Sequence, residues 1–194
     1  MQFPSHLLKP KGGEIYAHIF ENSRTGLSRG LFWSFSIEFE PLLYDEDEFD
    51  CSMTCEWLRW PIRNWHDLEG KRLEAAYGDN GIEASFYMSS HYVAKSVRLQ
   101  VLNRSAATFR VLLAMTVDFH GYVGDDRNPE MPVAAEFDIP FTGLIIVPEN
   151  LFPKPSTVEE AKEVARGFVD IDRYERPERD RHRYVLRPRI ETEV

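Results

Sequence analysis

Apolar and polar positions alternate with a period of two through most of the chain, the mark of strands that bury one face. In LFWSFSIEFE the residues Leu31, Trp33, Phe35, Ile37 and Phe39 fall on one side, and Ser34, Ser36, Glu38 and Glu40 fall mainly on the other. Residues 51–57 repeat the pattern with Cys51, Met53, Cys55 and Trp57. Asp79-Asn80-Gly81 supplies left-handed residues for a tight turn, which predicts a hairpin between KRLEAAY and IEASFYM. A longer hairpin is predicted where Val93, Val97, Leu99 and Val101 lead into the polar loop NRSAAT and Phe109, Val111, Leu113, Met115, Val117 and Phe119 return. Beyond the loop 121–132, AAEFDIPF and GLIIV read as strands, with Pro140 at an edge or bulge and Leu144 to Val147 apolar on both faces.

One helix interrupts this pattern. Thr157 is its cap, Glu160 completes a capping box, and Val158, Ala161, Ala165 and Phe168 share a face, giving a helix at about 157–168. Tyr184-Val185-Leu186 offers a final strand. About nine or ten short strands against one helix predict a mainly β fold, an antiparallel β-sandwich with a C-terminal helix. The expected organisation is one β-rich domain over residues 1–172 and an arginine-rich extension over 173–194.

A chain of 194 residues, 43% apolar and 13% aromatic, can build a substantial core. No apolar run approaches the ~20 residues that cross a bilayer, and the first residues lack the apolar stretch of a secretory leader. The expectation is therefore a cytoplasmic protein without a membrane partner. Cys51 and Cys55, if on a strand, lie about 13 Å apart, too far for a disulfide, and read as reduced core thiols.

Charge sharpens this reading. The net −9 is uneven: residues 173–189 hold seven arginines and three acids, leaving 16 Lys/Arg against 29 Asp/Glu elsewhere, or −13. An acidic body argues against general nucleic-acid binding, which needs Lys and Arg to neutralise phosphates. The Arg173–Arg189 segment is the one stretch where such binding could occur, and its interleaved Glu175, Glu178 and Asp180 favour ion pairing instead.

Several motifs fail for want of context. GLSRG, residues 26–30, matches G-x-S-x-G around Ser28, yet that motif requires a turn from strand into helix, and here strands flank it on both sides. A zinc site could draw on Cys51 and Cys55 with His66, His91 or His120, but the paired ligand spacings of such sites are missing. The acid run lacks the glycine and terminal glutamate of a calcium loop. No phosphate-binding loop, dinucleotide fingerprint or H-E-x-x-H is present. No catalytic residue, metal ligand or cofactor is assigned.

The acid run itself remains: Asp45, Glu46, Asp47, Glu48 and Asp50 put five carboxylates in six residues. Tyr44, Trp60 and Trp65 stand off the neighbouring alternation and could anchor a partner whose encounter is driven by charge. The expected function is a non-catalytic protein-binding module that uses this loop against a basic partner, with inhibitor or immunity-type proteins among the classes that fit. The alternatives are an enzyme or small-molecule binder with a fold-assembled pocket, and a subunit of a larger assembly.

Overall fold

A computed structural model describes residues 5–44, 46–119 and 130–190. The alternating segments become twelve strands: β1 Pro10–Asn22, β2 Leu27–Phe39, β3 Leu42–Tyr44, β4 Asp47–Phe49, β5 Cys51–Leu58, β6 Arg72–Ala76, β7 Glu83–Met88, β8 Ser90–Ser105, β9 Thr108–Asp118, β10 Glu130–Ile146, β11 Glu178–Asp180 and β12 Arg183–Leu186. The helix α1, Val158–Arg166, lies between β10 and β11. The Thr157 side chain accepts from the Glu160 amide at 3.2 Å, while the Glu160 carboxylate reaches back to the Ser156 amide at 2.6 Å. The first bond satisfies one of the orphan N–H groups at the helix start, and the second ties the residue before the cap to the first turn.

The fold is mainly β, but the expected two-layer sandwich gives way to closure. Strands β1, β2, β5, β7, β8, β9 and β10 pair in that order, and β10 returns to β1, making a seven-stranded barrel. The closing β1–β10 pair is parallel, and the other neighbours around the barrel are antiparallel. Period-two patterning specifies which side chains point inward but not which strand edges meet. Bulges in β1, β2/β5 and β8 bend the twisted sheet far enough for its ends to join. A barrel of this size is filled by its own side chains, and Trp33, Phe35, Phe86, Phe109 and Phe119 are all fully buried.

Three local expectations need correction. The strands flanking Asp79-Asn80-Gly81 do not pair with each other: the turn has its left-handed residues, Asn80 and Gly81, but β7 and β6 each pair with β8, at residues 90–93 and 96–100 respectively. Val93 faces outward, because a bulge between Ala94 and Ser96 shifts the phase and puts Tyr92 and Ala94 inside before Val97. Trp57 likewise leaves the inner face. Between the pairs Phe35–Cys55 and Trp33–Leu58, β5 carries one residue more than β2, and Trp57 takes φ 64° while Leu58 fills the core position.

The arginine-rich segment folds back on the barrel. β12 pairs with β10 through Leu144–Leu186 and its neighbours, β11 pairs with β12, and buried Tyr174 bridges to Pro188. Arg176 pairs with Glu159 of α1, and Arg183 with Asp180, each at 2.9 Å.

Candidate functional site

The acid run forms the tip of a separate two-stranded hairpin, β3–β4, with cross-strand pairs Leu42–Phe49, Leu43–Glu48 and Tyr44–Asp47. Leu42 and Phe49 anchor it in the core. Glu46, with φ 69°, lies in the turn, and Glu46, Asp47, Glu48 and Asp50 are exposed. None of these four carboxylates has an ion-pair partner among the described residues, and the C-terminal arginines that do pair use acids outside the hairpin. Asp45 and the side chain of Tyr44 lie outside the described residues. Leu43, opposite Glu48, is the hairpin's exposed apolar side chain among the described residues, at 68% exposed.

The tryptophans expected beside the acids are placed elsewhere. Trp65 is 1% exposed. It sits in a 3-10 turn, Trp65–Leu68, started by the Asn64 side chain accepting from the His66 amide. Its indole stacks on Phe141 at 5.9 Å and donates to the Arg173 carbonyl at 2.9 Å. Trp60 is half-buried, edge-on to Phe35. It lies past the far end of β5, and a strand of eight residues is roughly 25 Å long. The length of β5 thus separates Trp60 from the hairpin, and burial withdraws Trp65 from the surface.

Other sequence candidates are settled by burial. Cys51 and Cys55 are free, buried thiols. Burial pushes their pKa values up to about 11 and about 12, which keeps both protonated and poorly suited to nucleophilic or metal chemistry. Ser28 is an exposed residue near the start of β2. His91 is exposed on β8 and His66 lies beside Trp65, while His120 falls outside the described residues.

A second surface, at the other end of β5, was not evident in the sequence. Because the bulge turns Trp57 outward, its indole meets His18 edge-on at 4.8 Å, Phe20 at 5.2 Å and Phe32 at 5.4 Å. His18 stacks on Phe32 at 5.6 Å, and its Nδ1 has no hydrogen-bond partner among the described residues. Tyr16 donates to Glu56 at 2.9 Å on the same outer face. Burial, with the Glu56 charge adding to it, pushes the Tyr16 hydroxyl up to about 12. Beside this cluster runs an open groove of about 420 Å³, with Leu31, Phe32, Trp60 and Phe168 on its apolar side and exposed Arg59 and Arg63 as its charged groups. Arg63 fixes the groove to α1: its Nη2 donates to the Arg166 carbonyl at 3.2 Å, and its own carbonyl accepts from the Asp170 amide at 2.8 Å. The only sequence signal is the break in alternation at Glu56-Trp57-Leu58.

Burial holds the His18 pKa down to about 4, so the imidazole is neutral at pH 7 and adds no charge to the cluster. The unfolded chain takes up this proton near pH 6.5, whereas the folded chain refuses it until about pH 4. The stability that His18 contributes is complete above pH 6.5 and is lost as pH falls toward 4. Urea unfolding at pH 7 and pH 4 should show wild type losing about 2 kcal/mol relative to His18→Phe. An unchanged difference between the two proteins would mean that the imidazole charges freely in the fold.

The chain matches no known family, and neither a curated protein nor a solved structure resembles it significantly.

Proposed function

We propose that the protein is a non-catalytic binding module that engages a cationic protein surface through the β3–β4 hairpin. One observation carries this reading: an exposed Leu43 framed by carboxylates that have no counter-ion among the described residues. A single exposed leucine is ordinary on a surface; what supports the reading is its place among unpaired carboxylates, where an apolar anchor would supply affinity and the surrounding charge encounter rate and specificity. The net charge of −9 extends the attraction to distances set by the ionic strength. An inhibitor or immunity-type protein acting on a basic target in the cytoplasm fits this chemistry. A subunit that docks on a basic face of a larger assembly uses the same hairpin.

The test is capture from a native lysate by wild type and by Asp47→Asn/Glu48→Gln/Asp50→Asn, followed by binding kinetics on the captured protein. The expected result is a basic protein held by wild type, an on-rate about tenfold lower for the variant at low salt, and convergence of the two as salt rises. Leu43→Ser should instead speed dissociation. Equal capture by wild type and the charge variant would return the hairpin to ordinary solvated surface.

A further inference from the structure

We infer that the groove beside Arg59 and Trp60 is a binding site for a small amphipathic carboxylate, an apolar body carrying a single anionic head. This site lies at the opposite end of β5 from the acidic hairpin and does not depend on the hairpin's role.

The volume, about 420 Å³, falls at the small end of the range for ligand pockets. The lining divides into two chemistries. Leu31, Trp60 and Phe168 offer apolar and aromatic surface with the buried Phe32 ring beneath, and Arg59 and Arg63 offer the charge. Arg59 lies with its guanidinium carbon 5.0 Å from the centre of the Phe32 ring, which orients the planar group while leaving its N–H edges available. It has no carboxylate partner among the described residues, although the chain carries nine more acids than bases. A guanidinium edge matches the paired oxygens of a carboxylate.

The number of available charges selects the head group. Arg63 is partly committed to the α1 carbonyl of Arg166, so Arg59 is the groove guanidinium without a hydrogen-bond or ion-pair partner among the described residues. A single fork in a strongly negative protein suits a monoanion better than a phosphate dianion, which would also be repelled by the body. The aromatic cluster adjoins the groove. Phe32 belongs to both, is 2% exposed, and is held between His18, Trp57 and Arg59. Gly30 and Gly167 also line the groove, without side chains.

The site can be tested on the isotope-labelled full chain by NMR, with decanoate and decyltrimethylammonium as probes below their aggregation concentrations. Decanoate is expected to shift the Trp60 indole and the Gly30 and Gly167 amides saturably, and decyltrimethylammonium to bind at least tenfold more weakly. Arg59→Gln, an exposed substitution that should leave the remaining spectrum unchanged, is expected to weaken decanoate at least tenfold, because it removes a charge-assisted hydrogen-bond donor pair. Equal binding of the two head groups, or undiminished decanoate binding by Arg59→Gln, would overturn the assignment. So would concentration-dependent shifts of the groove together with the β3–β4 amides in the absence of probe, since they would show the groove occupied by the acidic hairpin of a second copy.

Discussion

Trp65→Ala is expected to destabilise the protein by about 3–5 kcal/mol and to lower Tm by about 6–20 °C. Its indole is fully enclosed, and its removal opens a cavity between Phe109 and Phe141. The substitution also removes the hydrogen bond to the Arg173 carbonyl, which ties the start of the C-terminal segment to the barrel. Arg104, 5.5 Å above the ring, loses its aromatic partner. Chemical and thermal unfolding measure the effect directly. Folded Trp65→Ala should retain the association rate for a basic partner, since the hairpin lies elsewhere. A fully stable variant with slowed association would instead place Trp65 at an interface and refute its role as a core residue.

Gly143→Ala should cost about 3 kcal/mol or more, for a reason that lies in the backbone. Gly143 has φ +131° in β10, where the strand passes from β9 to lie between β1 and β12. A Cβ atom there would stand 2.4 Å from the Leu186 carbonyl oxygen and 3.1 Å from its carbon. These are main-chain atoms that cannot swing aside, so backbone strain and overpacking add. The damage should be directional. Amide exchange is expected to accelerate first at Tyr184, Val185 and Leu186, which pair with β10, while β8 and β9 keep their protection. Uniform acceleration across the barrel would show that the strain is not confined to the β10–β12 junction.

Much of the strand inventory was legible because a half-buried strand writes its burial into local composition. Trp33, Phe35, Ile37 and Phe39 lie inside as their spacing requires, and the Phe109-to-Val117 series does the same along β9. The helix start was equally local, resting on a hydroxyl and a carboxylate a few residues from the amides they satisfy. The two misread inward positions share one cause. Val93 and Trp57 sit at bulges, where one added residue reverses the inward and outward sets, and nothing in the alternation records that insertion until the partner strand is known. Of the candidate site, the sequence located the acidic turn and its charge but not its anchor. An isolated Leu43 is unremarkable in a list of residues, and Trp65 stood out by type although its environment is core.

The sequence alone thus determined what depends on neighbours along the chain: a mainly β protein, its inward faces, one capped helix, and an acidic turn distinct from an arginine-rich segment. Tertiary structure decided what depends on pairing across distance. Ile15 meets Phe141, and Trp65 meets Arg173, over separations that no local pattern encodes. Closure into a barrel follows from where twist and bulges carry the strand edges, and the Arg59 groove follows from Trp57 turning outward while Arg63 binds the end of α1. Side-chain chemistry along a strand is fixed by its spacing, whereas a site also requires separate strands to arrive at the same place.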